Sequence, residues 1–237
     1  MSFNIEVEAG NSVRLPTAGK YCDRDIVVKA SGNANGAYYD KFWDTYQDYG
    51  RKTIYNQYTG GFLGSSWNDD NFNPKYPIVL TDASYIFRQT GITDLTRDGI
   101  VMDFSQCKTF NYAFAYINHT TMKIPFIDLS IATNTTSTFQ NLKGDTLHLK
   151  FSESTNIASN MLSGIQNLVN FTVEGTIGMN ISLPNADKLS TESVQSIIDH
   201  LKDLTGQTAQ KVQFHTTVAG KLTDEQIATI FAKNWTL

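Results

Sequence analysis

The sequence predicts an α/β protein: a solenoid with a parallel β-sheet, helical caps at both ends and a small β module at the N-terminus. Two registers of apolar residues carry this reading. Short apolar runs end at Leu80, Phe104, Leu129, Phe151 and Val173, stepping by 24, 25, 22 and 22 residues. In the polar stretches between them, single large anchors fall at Phe87, Phe114, Phe139 and Leu162, stepping by 27, 25 and 23. Two registers advancing together at about 20–29 residues are the pattern of a leucine-rich-repeat-like stack. One such segment cannot bury its own apolar face, so its neighbours must cover it. Composition agrees: 27 Thr and 19 Asn among 237 residues, with 18% charged, suit turns and short strands better than long helices.

Residues 1–31 form a short β-rich module. Phe3, Ile5 and Val7 alternate with polar residues, and Ile26-Val27-Val28 makes a second strand. Residues 32–36, small and polar with two glycines, form a linker. Residues 37–77 make an N-terminal cap. Tyr39, Phe42, Trp43 and Tyr46 share one face of a helix that stops at Gly50, and a Gly- and Asn-rich loop follows. The solenoid occupies 78–188. A helix–strand–helix cap closes it over 189–237. Ser190 caps a first helix with the apolar face Val194, Ile197, Ile198, Leu201 and Leu204, ending before Gly206. Val212-Gln213-Phe214 is a strand, and Thr223 with Gln226 is a capping box for a second helix that buries Ile230 and Phe231.

Charge and cysteine content exclude several functions. With 19 Lys+Arg against 23 Asp+Glu the net charge is −4, and no basic stripe marks a nucleic-acid surface. No stretch approaches the roughly 20 apolar residues of a membrane helix. The first residues have neither a basic n-region nor an apolar h-region, so no secretory signal is expected. Cys22 and Cys107 fall in different modules and read as free thiols. The four histidines lack metal-ligand spacing, and Gly60-Gly61-Phe62-Leu63-Gly64 lacks the lysine of a phosphate loop. Asn68-Asp69-Asp70-Asn71 lacks the spacing of a calcium loop and reads as a solvated turn. No cofactor and no catalytic residue are expected.

What remains is the open face of the sheet. In each strand the residue between two inward apolar positions points out, because side chains alternate across a strand. That rule selects Asp103, Asp128, Lys150, Thr172 and, in the closing unit, Gln213, with His148 on the same parity as Lys150. These six are the candidate ligand-binding residues.

The segments around Phe87, Phe114 and Phe139, with strand cores such as Ile127-Asp128-Leu129-Ser130, resemble BspA-like bacterial leucine-rich repeats. Residues 12–28, SVRLPTAGKYCDRDIVV, are similar to a short module in tail-associated proteins of phages and prophages of Firmicutes. The aromatic helix through Tyr49-Gly50 and the ending Lys233-Asn234-Trp235-Thr236-Leu237 resemble flanking units of the same proteins. The resemblance implies a non-enzymatic binding or structural protein of the virion tail. Residues 1–31 would attach it to other tail proteins, and the solenoid would meet a host cell-surface protein or glycan, without nucleic acid or membrane insertion. The alternatives are a cell-surface or secreted leucine-rich-repeat adhesion protein and a polysaccharide-cleaving tail enzyme.

Overall fold

The structure is a computed structural model that describes residues 68–70, 72 and 78–237, together with the backbone strands at 3–8, 26–31 and 54–56. The described part is mixed α/β, with small parallel sheets and few helices. One five-stranded sheet runs β1 (Phe3–Glu8), β2 (Ile26–Ser31), β3 (Ile54–Asn56), β4 (Ile78–Leu80) and β5 (Met102–Asp103) in chain order. A second holds β6 (Ile127–Asp128), β7 (Thr146–Phe151) and β8 (Asn170–Gly175). In the third, β10 (Gln210–Phe214) lies between β9 (Ile181–Leu183) and β11 (Trp235–Thr236). Every pairing is parallel.

Register repeats the sequence period. Phe3 faces Ile26, Ile54 faces Ile78, Ile78 faces Met102, Ile127 faces Leu149 and Thr146 faces Asn170, offsets of 22–24 residues, while Gln210 faces Trp235 at 25, Val27 faces Tyr55 at 28 and Ile181 faces Val212 at 31. β2 pairs with β3 and β3 with β4, so the strands at 3–8 and 26–31 are hydrogen-bonded into the same sheet as β4. The linker at 32–36 and the aromatic helix at Tyr39–Tyr46 lie outside the described residues. Nor is there one uninterrupted sheet. No strand ladder joins β5 to β6, and the gap coincides with Pro125, which has no N–H to donate.

Between the strands run ribbons of turns. From 83 to 90 alternate N–H groups serve two purposes. Those of Ile86, Arg88 and Thr90 close turns on Ala83, Tyr85 and Phe87 at 3.1–3.2 Å. Those of Ala83, Tyr85, Phe87 and Gln89 donate to the carbonyls of Thr109, Asn111, Ala113 and Ala115 at 2.8–3.0 Å. The next ribbon repeats this, with Phe110, Tyr112, Phe114 and Tyr116 donating to Asn134, Thr136, Thr138 and Gln140. Such a ribbon needs left-handed residues at fixed places. Tyr85, Tyr112 and Ser137 form one column of positive φ, and Gln89, Tyr116, Asn141 and Gly164 form another. Each non-glycine there costs about 1–2 kcal/mol, and the N–H of each is held by a hydrogen bond to the next segment, to a backbone carbonyl at Tyr85, Gln89, Tyr112, Tyr116 and Asn141 and to Asn160 Oδ1 at Ser137.

The anchors meet behind the ribbons. Phe87 and Phe114 stack at 5.6 Å and Phe114 and Phe139 at 5.5 Å, while Phe72 meets Phe87 edge-on at 5.7 Å. Phe87, Phe114, Phe139 and Leu162 are all buried, as are the strand residues Phe104, Leu129, Phe151 and Val173. Threonine clasps one segment to the next. Buried Thr135 donates to Asn156 O at 2.7 Å and accepts from Ala158 N at 2.9 Å, and buried Thr155 donates to Leu129 O at 3.0 Å. Glycine permits close approach where β8 ends. Gly175, at φ 75°, leaves no room for a Cβ beside the Phe151 carbonyl oxygen.

The C-terminal unit departs from expectation in four places. Helix α1 (Thr191–Asp199) starts at the Ser190 cap but stops at His200, short of Leu204. The chain there is drawn into a bridge: Ile177 N–H donates to His200 O and Lys202 N–H to Ile177 O. A short helix α2 (Thr216–Ala219) precedes α3 (Asp224–Ala232), whose capping box is complete, with Gln226 N and Thr223 N each bonded to the other's side chain at 3.1–3.2 Å. Ile230 is buried, whereas Phe231 is 55% exposed, because one residue further round the helix turns away from the core. The expected tail is strand β11. Trp235 is buried and its indole N–H reaches Lys202 O at 2.8 Å.

Truncating Phe139→Ala should lower stability by roughly 3–5 kcal/mol, since the cavity lies in the ring column. Phe231→Ala should stay within about 0.5 kcal/mol. Chemical denaturation of both variants checks the pair. Burial also pushes the Cys107 thiol up to about 12. Alkylation at pH 8 should leave Cys107 unmodified in the folded protein and modify it after denaturation, read by mass spectrometry.

Candidate functional site

The sheet β6–β7–β8 brings four of the six expected residues together. Ile127, Leu149 and Val173 turn inward and are buried. Asp128 lies opposite Lys150, and Lys150 opposite Glu174, while His148 lies opposite Thr172. All five therefore share the outward parity. Lys150 Nζ donates to Asp128 Oδ2 at 3.1 Å, and His148 Nε2 lies 2.7 Å from Glu174 Oε1. The exposed Phe126 ring packs edge-on against the His148 imidazole at 4.8 Å.

The other two residues stand elsewhere. Asp103 belongs to β5 of the first sheet, where its carboxylate accepts from Ser105 N at 2.8 Å and shapes the strand end. Gln213 belongs to β10 of the third sheet and accepts from Ser182 Oγ at 2.8 Å. Sequence reasoning passed over Phe126 and Glu174. Each lies two residues from a selected position, Asp128 and Thr172, so strand parity alone would have found them.

The charges on this face are largely internal to it. Burial by itself would raise the Asp128 carboxyl, but hydrogen bonds from Ser130 and Lys150 and the Lys150 charge outweigh burial and hold it below its usual value. With Lys150 and Asp128 paired, and His148 against Glu174, the face offers one exposed aromatic ring among polar groups that already hold one another. Such a face is suited to contact by stacking and hydrogen bonding.

The Asn68–Asp70 segment does more than the sequence suggests. Asn68 and Asp70 are exposed in a turn, as expected, but Asp69 within it also acts as a clasp. The Asp69 carboxylate accepts from Thr93 N at 3.0 Å and from the Thr93 hydroxyl, while Arg97 reaches the Asp69 and Phe72 carbonyls. Among the described residues no helix is long and apolar enough to cross a membrane. No protein-family model, curated protein or solved structure matches the chain.

A lowered carboxyl pKa stabilises the fold above the unfolded value and loses that contribution as pH falls through the folded value. Asp128→Asn should therefore change stability at pH 7 by less than about 1 kcal/mol, the pair being partly exposed. It should also remove part of the acid-induced loss below about pH 4. Denaturation curves from pH 7 to pH 2 measure both effects.

Proposed function

We propose that the chain is a leucine-rich-repeat-like solenoid that acts as a non-enzymatic binding or structural protein of a phage or prophage tail. In this reading the face of Phe126, Asp128, His148, Lys150, Thr172 and Glu174 meets a protein or glycan on the host cell surface. The single observation that supports it best is the parallel register of β6, β7 and β8. Strands paired in parallel and in chain order, here offset by 22 and 24 residues, set outward side chains in rows, and rows are what repeat proteins use for extended contact. The tail assignment draws on the likeness of residues 12–28 to phage modules.

Immunogold labelling of particles induced from the host that encodes the chain should place gold on the tail. Purified particles that lack the protein would overturn the assignment.

A further inference from the structure

The turn ribbons carry a second row, on residues that the sheet-face reading does not use. Tyr85 and Tyr112 stack at 5.3 Å with planes 13° apart, and Tyr112 and Tyr116 follow at 6.5 Å and 11°. Arg88 lies across the row, its Cζ 5.7, 5.3 and 5.4 Å from the three ring centres. All four side chains are half-buried. The outer phenols are tied down: Asn111 Nδ2 donates to Tyr85 Oη at 3.2 Å, and Tyr116 Oη donates to Gln140 Oε1 at 3.0 Å. All three tyrosines sit at left-handed backbone positions that the ribbon hydrogen bonds hold in place.

Arg88 is the unusual member. Its Nε is buried and has no hydrogen-bond partner, and among the described residues no carboxylate pairs with it. A guanidinium is permanently charged and has five N–H donors in a planar fork suited to a carboxylate or phosphate. Ring faces within about 6 Å stabilise the cation without using those donors. Among the described residues, the groups bonded to the rings it lies across are neutral: the side-chain amides of Asn111 and Gln140. A single cation among hydroxyl and amide groups matches a ligand with one oxyanion per hydroxyl-rich unit.

We propose that Tyr85, Arg88, Tyr112 and Tyr116 form a binding site for an acidic carbohydrate, with Arg88 taking the oxyanion and the phenols and amides taking ring hydroxyls. The oxyanion is either a sugar carboxylate or a sugar phosphate. The site is separate from the β6–β8 face and does not rest on the tail assignment.

Calorimetric titration of the full chain with hexagalacturonate, glucose 6-phosphate, maltohexaose and hexaglutamate tests it. At least one acidic sugar should bind, and which one identifies the oxyanion. Maltohexaose and hexaglutamate should bind at least tenfold more weakly. Arg88→Gln should weaken the acidic sugar at least tenfold, Arg88→Lys by less, and Lys221→Ala, at an exposed lysine of the C-terminal unit, not at all. A second measurement needs no variant: the bound sugar should protect Arg88 from phenylglyoxal, located by mass spectrometry. The proposal is overturned if neither acidic sugar binds or if hexaglutamate binds as well as the better of them. Retained affinity in a folded Arg88→Gln protein, or unprotected Arg88 in the saturated wild type, would equally overturn it.

Discussion

Every other feature depends on a backbone that hands half of its N–H groups to the next segment. Between Ala83 and Gln89 alternate amides leave the ribbon for the carbonyls of Thr109 to Ala115, and the pattern recurs one period later. A buried amide left without a partner costs about 1–3 kcal/mol, so no ribbon is satisfied until its neighbour is in place. The column Phe87–Phe114–Phe139 imposes the same condition on the apolar side, because each ring is covered by the ring of the adjoining segment. Neighbour dependence is therefore built into both the polar and the apolar halves of the unit.

The same repetition shapes the two surfaces. Outward residues recur at the same place in successive segments, so a side chain type that recurs at the period becomes a row. On the sheet this sets Asp128, Lys150 and Glu174 side by side, and on the ribbons it brings Tyr85 to Tyr112. The rows differ in how charge is handled. Lys150 is matched by Asp128 within the sheet, whereas Arg88 lies across three rings and has no carboxylate partner among the described residues. Ligand chemistry should follow that difference, with the sheet face relying on contact area and the ribbon on one uncompensated cation.

Much of the framework was legible. The apolar runs mark β4 to β8, and the anchors mark the ring column, because burial and strand parity act on single residues that a sequence displays. Ser190, Thr223 and Gln226 announce their helices for the same local reason. What the sequence concealed depends on partners distant in the chain. The end of α1 is decided by Ile177, which captures the backbone around His200. Strand β11 needs Gln210 and Lys211 to pair with, so its two residues look like part of a tail in the sequence. The tyrosine row was hidden most completely. Left-handed backbone is rare at Tyr85, Tyr112 and Tyr116, and nothing local marks it. Asn141 and Gly164 in the same columns are the residue types that carry such a signal.

Amide hydrogen exchange by NMR tests the central dependence most directly. The N–H groups of Tyr85, Phe87, Tyr112, Phe114 and Phe139, which leave their own segment for the next, should exchange only through concerted opening. Their protection should match that of the buried strand amides of β7, and Phe139→Ala should lower all of them together. Rapid exchange at these five amides while β7 stays protected, or loss of protection confined to the mutated segment, would contradict the account.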